Sequence, residues 1–236
     1  MLPRRQFLRD GGLAAAALLA GGRLAGEAPA SAQTSLAAKE QVEVLPVEDL
    51  MREHGVLRRT LLVFDRARLL LTGQQPLPPD VIKKAAGIID TFIQQYHEQL
   101  EEKHVFPMTR KLPALAELTN TLQQQHDAGR KLIDWVGKNS SADDLKKAEV
   151  RQKLVDYLAA FERMYRPHAA QEDTVLFPAF HEMLSPREYE KLGDEFEGQE
   201  TKALGEGGFE KYVARVAQLE KELGIADLAQ FTPKLS

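Results

Sequence analysis

The chain has 236 residues, of which 28% are charged and 43% hydrophobic, and carries a formal charge of −4 at neutral pH. This ordinary globular composition argues against wholesale disorder, and the mild acidity without a basic face argues against nucleic acid as a partner. Cysteine is absent, which excludes disulfides, thiolate zinc sites and thiol chemistry, so a bound metal must be held by His, carboxylate or Tyr.

Residues 4–9 read RRQFLR, with Arg4 and Arg5 adjacent and followed by Phe7 and Leu8, which resembles a twin-arginine export signal. The apolar run from Gly11 to Gly22 is too short and too glycine-rich for a membrane span. Ala30-Ser31-Ala32 then reads as an A-x-A cleavage site. Residues 1–32 are therefore read as a signal peptide, and the mature protein as periplasmic, starting at Gln33 and free of the membrane. The twin-arginine route carries folded proteins, which suits one that loads its metal where the cell controls the supply.

Residues 33–45 read as a linker. The pattern predicts a first helix from Val47 to Thr72, stopped by Gly73, then a proline-rich loop over Gln74–Pro79. A second helix is predicted from Asp80 to Val105, halted before Pro107. A third runs from Ala114 to Val136 and ends at Gly137. A fourth, capped by Ser140 or Ser141, runs from Ala142 to Leu176, with a kink or break before Pro167 and an interruption at Pro178. Ser185-Pro186-Arg187-Glu188 is a capping box with Pro at the first helical position. It opens a C-terminal helical extension, broken by Gly205, Gly207 and Gly208 and ending near Leu223. The fold class is all-α: an up-down-up-down four-helix bundle over 46–182, with the extension over 183–236.

Two segments repeat. HEQLEEKHVFP starts at His97 and HAAQEDTVLFP starts at His168, an offset of 71 residues. Each has His, Glu four residues on, a second acid, and Phe-Pro at +9 and +10. EHGVLRR, from Glu53, and QHDAGRK, from Gln125, repeat at an offset of 72. The chain thus reads as two helix pairs, each with one lone His and one H-x3-E.

Residues four apart on a helix lie about 40° apart in projection and about 6 Å along the axis. His97 and Glu101 therefore point the same way, as do His168 and Glu172. An imidazole can bind one metal while the carboxylate beside it bridges two, roughly 3.5–4 Å apart. His54 and His126 supply further nitrogen. Imidazole with carboxylate and no thiolate suits iron, with manganese and zinc as other candidates.

These residues resemble the hemerythrin-like, HHE cation-binding family over about residues 46–182. The resemblance implies two iron ions in an oxo- or hydroxo-bridged di-iron centre that binds dioxygen. Ferritin-like proteins, by contrast, use Glu-x-x-His pairs with lone Glu residues. Animal oxygen carriers of the family have H-x3-H in the third helix, where Arg130 stands four residues after His126. Substitutes within reach are Glu98, because some relatives use H-E-x-x-E as in His97-Glu98-Glu101, and His104. Animal proteins use H-x4-D in the fourth helix; both Glu172 and Asp173 are candidates here, and Glu172 is taken because it mirrors Glu101. The implied metal ligands are His54, His97, Glu98, Glu101, His126, His168 and Glu172.

Other residues carry plainer readings. Glu98 is equally an exposed charge; His104, aligned with Val175, is a supporting or cap-side histidine; His181 is structural. Tyr165 faces the site three residues before His168 and either hydrogen-bonds a ligand or fills core. Phe106 and Phe177 plug the core beside the site, and Trp135 is core. The leading function is binding of dioxygen or another small diatomic or peroxide ligand, for storage, delivery or sensing. The alternative is a di-iron oxidoreductase acting on peroxide, nitric oxide or ferrous iron. A third reading is a plain bundle with a structural zinc.

Overall fold

Residues 45–234 are described by a computed structural model, so the segment read as an export signal and all but the last residue of the expected linker lie outside the described residues. Among the described residues there is no strand. Four long helices form a ring: α1 (Pro46–Thr72), α2 (residues 81–109), α3 (Ala116–Lys138) and α4 (residues 148–182). α1 packs on α2 and α4, and α3 completes the ring against the same two. The connections are short, so sequential neighbours run antiparallel.

Inward positions recur at alternating steps of three and four, the spacing of one helix face. In α1 they are Leu50, His54, Leu57, Leu61 and Phe64, all buried. In α3 they are Thr119, Leu122, His126, Gly129, Ile133 and Val136. In α4 they are Leu154, Leu158, Phe161, Tyr165, His168 and Glu172. The candidate ligands therefore interrupt otherwise ordinary core stripes. Phe64 meets Phe161 edge-on at 6.0 Å, and each such fully buried side chain stabilises the fold by about 1.5–3 kcal/mol.

Several helix boundaries differ from the sequence expectation. α2 does not stop before Pro107 but continues to Thr109, and α4 continues through Pro178 to Glu182. In both cases a π-helical turn precedes the proline, at Glu101–Val105 and Glu172–Leu176. Phe106 N–H donates to the Glu101 carbonyl, and Phe177 N–H to that of Glu172, five residues back. The wider turn gives the pyrrolidine ring room that an α-turn denies it. A third π segment, Ile89–His97, leads into the first motif.

Pro167 does not break α4 either, which is helical from Ala148 to Gln171. Pro167 and Arg163 are both exposed, so water can take the carbonyl that the proline leaves without a donor. α4 starts at Ala148 rather than Ala142, because Ser141 instead serves the short 3-10 turn Asp144–Lys146, its hydroxyl accepting from the Asp144 amide at 3.2 Å. Gly137 lies inside α3, which ends at Lys138.

The extension forms α5 (Pro186–Leu204) and α6 (Gly208–Glu222), which pack on α1 and α2. The capping box is formed, with Ser185 N–H donating to Glu188 Oε2 at 2.9 Å. Gly205 and Gly207 turn the chain with φ of +76° and +62°, values that glycine adopts without a Cβ penalty. Polar anchors fix the extension, among them Val47 N–H to Tyr189 Oη (3.1 Å), Tyr212 Oη to Thr91 Oγ1 (2.8 Å) and Arg59 Nε to Glu220 Oε1 (2.8 Å). No described helix is long and apolar enough to cross a membrane.

Candidate metal centre

Four imidazoles, one from each helix of the ring, meet in the middle of the bundle. His54 Nε2 lies 3.1 Å from His97 Nε2, and His126 Nε2 lies 3.2 Å from His168 Nε2. All four rings are buried.

Their outer nitrogens are all committed. His54 Nδ1 is 2.7 Å from Asp173 Oδ1, His97 Nδ1 2.8 Å from Glu53 Oε2, His126 Nδ1 2.9 Å from Glu102 Oε1, and His168 Nδ1 2.8 Å from Gln125 Oε1. Each partner offers an acceptor oxygen, so Nδ1 carries a proton and Nε2 is the atom left to face inward. In each pair the Nε2–H of one protonated ring can donate to the Nε2 of the other, and a bound cation would take that proton's place.

The carboxylates complete the arrangement. Glu101 Oε1 is 3.4 Å from His97 Nε2, and Oε2 is 3.4 Å from His126 Nε2. Glu172 Oε2 is 3.1 Å from His168 Nε2 and 3.4 Å from His54 Nε2. Each carboxylate thus faces both histidine pairs. All four of their oxygens are buried without a hydrogen-bond partner. Buried carboxylate oxygens that accept no hydrogen bond are costly, so this donor set fits cations, and in metal-free protein the raised His97 and His126 supply the compensating charge. His54, His97 and Glu101 bring ligand atoms within 4.8 Å of one another, as do His126, His168 and Glu172. Four imidazoles and two shared carboxylates suit two ions of the iron, manganese or zinc kind.

The remaining candidates lie outside this cluster. Glu98 is buried but turned away, accepting from Tyr165 Oη at 2.6 Å and from Arg130 at 2.9 Å; its Oε2 lies 4.0 Å from His126 Nδ1, not Nε2. Tyr165 thus gives its hydroxyl to Glu98. Asp173 supports His54 from outside and is tied to Arg58. His104 is remote, beside Gln199 and Glu195. His181 stacks on Tyr189 with centroids 4.1 Å apart.

Charges around the ring shift its protonation. Burial disfavours a charged His126, but Glu98, Glu102 and Glu101 outweigh it and push the imidazole up to about 9. His97 is likewise raised well above the usual value: burial opposes it, and Glu101 and Glu53 prevail. Glu102 is held down at about 2, because His126 and Arg130 overcome its burial.

Sequence reasoning missed the outer supports Glu53, Gln125 and Glu102. The signal was present: each stands beside a ligand at matching repeat positions, Glu53 with Gln125 and Glu102 with Asp173. What was not visible is the exchange. The residue before each lone His supports the H-x3-E histidine, and the residue after each Glu supports a lone His of the other half. Phe177 stacks on His54 (5.6 Å) and Phe106 on His126 (5.2 Å) in the same crossed pattern.

The family model for the Hemerythrin HHE cation binding domain matches residues 45–180. Curated relatives from Mycobacterium bovis and from two strains of Mycobacterium tuberculosis, each described as an uncharacterized protein, are 40% identical over 205 residues, covering 87% of this chain and 80% of theirs. That stretch is longer than the family match, so the likeness extends beyond the ring of four helices. No solved structure matches.

Proposed function

The chain belongs to the hemerythrin HHE cation-binding family, a metal-binding helical protein, and from that premise we propose that it is an exported non-haem di-iron protein binding dioxygen or a similarly small ligand. The observation that carries this reading is the set of four buried oxygens on Glu101 and Glu172 that accept no hydrogen bond, each carboxylate facing both imidazole pairs. His54 and His97 would hold one ion, His126 and His168 the other, with Glu101 and Glu172 shared. Two iron ions there would supply reversible redox change and coordination positions open to dioxygen, peroxide or nitric oxide.

The chain's own residues prepare the site. Glu53, Glu102, Gln125 and Asp173 fix the imidazole tautomers and ring planes. Phe106 and Phe177 cover two of the rings and keep water away. Arg130, in the place of a fifth histidine, donates to Glu98 and Glu102 instead. Each ion would then be offered two imidazoles and two carboxylates in common with the other, fewer ligands than six-coordinate iron takes. That count also supports a second reading, an oxidoreductase turning over peroxide, nitric oxide or ferrous iron.

The test is elemental analysis followed by an oxygen experiment. Protein loaded with ferrous iron under anaerobic conditions should hold two irons per chain. Exposed to dioxygen, it should develop a visible charge-transfer band that evacuation reverses. Many turnovers of added peroxide without a stable band would favour the oxidoreductase. A single zinc, or no metal after ferrous loading, would end the di-iron reading.

A further inference from the structure

The internal repeat makes the two halves of the centre comparable position by position. Arg58 and Arg130 correspond, and they do the same thing: Arg58 pairs with Asp173, and Arg130 with Glu102, the carboxylates behind His54 and His126. Beyond this the halves part. Glu98, Tyr165 and Gly129 correspond to Ala169, Gln94 and Leu57. Only the His126 side therefore has a second buried carboxylate, and Arg130 spans both Glu98 (2.9 Å) and Glu102 while also pairing with Asp127 (3.1 Å).

Arg130 is 31% exposed and also lines a surface pocket of about 500 Å³ between α2 and α3, with Asp90, Gln94, Gln95, Gln99 and Asp134. Its guanidinium thus separates solvent from Glu98. Behind it, Glu98, Glu102 and His126 bring ligand atoms within 4.8 Å of one another, and Glu98 is the neighbour of His97. A second feature points to a visitor in this pocket. Gln94 is 4% exposed, yet its side-chain amide nitrogen has no hydrogen-bond partner. Buried polar groups are normally satisfied, and a half-turn of the amide would present its oxygen instead.

We propose that this pocket is the access route for the divalent metal ions, with Arg130 as its gate and Glu98 and Glu102 as the relay to the centre. The inference rests on reading the six buried His and Glu side chains as a metal site, and it assigns the path by which that site fills. Asp90 draws the hydrated cation to the mouth together with Asp134, whose carboxylate is shared with Lys138 at 2.6 Å. Arg130 swings outward toward Asp127 and solvent, and the incoming cation takes its place between Glu98 and Glu102. The pair of carboxylates thus stays charge-compensated throughout, which avoids the cost of leaving buried anions bare. On the His54 side, Ala169 offers no second carboxylate, so Arg58 only braces Asp173.

The experiment is rapid mixing of metal-stripped full-length protein with cobalt(II), followed by its ligand-field absorption, a readout independent of any turnover. Arg130→Gln should take up metal about tenfold faster than wild type, and the Asp90→Asn, Asp134→Asn pair about tenfold slower, with a weaker dependence on salt. Both should still reach two ions per chain. Arg58→Gln, which frees Asp173 without opening a pocket, should load at a rate within about twofold of wild type. Circular dichroism checks that each variant folds, and the surface pair keeps the test decisive if Arg130→Gln does not. Wild-type rates in the folded Arg130 variant, or in the acidic-pair variant, would overturn the gate while leaving the metal site standing. Wild-type protein that binds no cobalt at all would instead remove the metal site, and the gate with it.

Discussion

The hydroxyl end of Tyr165 occupies the space that a side chain on Gly129 would need. A Cβ built at Gly129 would stand 2.8 Å from Tyr165 Cε2 and 2.9 Å from Cζ, closer than such atoms approach. The notch in α3 lets a tyrosine from α4 reach Glu98 on α2. Gly129→Ala should therefore push the ring out, cost about 1–3 kcal/mol as an overpacked core does, and release Glu98 from its donor. Tyr165→Phe should remove the hydrogen bond while leaving the packing. Thermal unfolding of the two variants tests this, and equal stability of Gly129→Ala and wild type would contradict the close fit.

Glu101 and Glu172 each face both histidine pairs, so in the proposed two-ion centre neither would belong to one ion alone. Replacing either with Ala should empty both positions together, whereas His126→Ala should weaken one ion more than the other. Metal-to-protein ratios after dialysis against a graded chelator series distinguish the cases. Loss of only one ion from Glu101→Ala would show that the carboxylate does not bridge.

The outer acceptors hold the Nδ1 side of each imidazole and so would orient the rings without themselves ligating a metal. Glu53→Ala, Glu102→Ala and Asp173→Ala should each lower metal affinity by about 10–100-fold with stoichiometry kept at saturation. Competition titrations against a chromophoric chelator give the measurement. Unchanged affinity in all three variants would reduce these contacts to packing.

Protonation of His126 gives a pH dependence whose sign follows from its raised value of about 9. In metal-free protein, this group stabilises the fold fully below its unfolded value of about 6.5. That contribution is lost as pH rises through about 9, and is at most about 3 kcal/mol. Metal-free protein should thus lose stability between pH 6.5 and 9, while metal affinity rises over the same window because ions and protons compete for the imidazole. Thermal unfolding with and without chelator across that range checks both signs. A metal-free protein that grew more stable toward pH 9 would refute the assignment.

Export is testable separately from the metal site. Arg4→Lys with Arg5→Lys should strand the precursor in the cytoplasm, as fractionation and N-terminal sequencing would register. Export of that variant, or a mature start far from Gln33, would reject residues 1–32 as a twin-arginine leader.

The sequence by itself determined the helical ring and seven candidate ligands, six of which meet at its middle. Periodicity at steps of three and four is a local property, and it put His54, His126 and both H-x3-E motifs on the same faces as Leu57, Ile133 and Leu158. The repeat then marked those polar residues as a set. The continuity of α2 and α4 through Pro107 and Pro178 was not legible, because proline ordinarily ends a helix and the π turns that accommodate it arise from the packed ladder. Tertiary structure alone decided which carboxylate serves which imidazole. Glu98 and Glu101 differ by less than one helical turn, yet Glu101 faces the Nε2 atoms while Glu98 is drawn to Tyr165 and Arg130 from two other helices. The crossed support of His54 by Asp173 joins residues 119 positions apart, a relation set by how four helices close into a ring and carried by no local pattern.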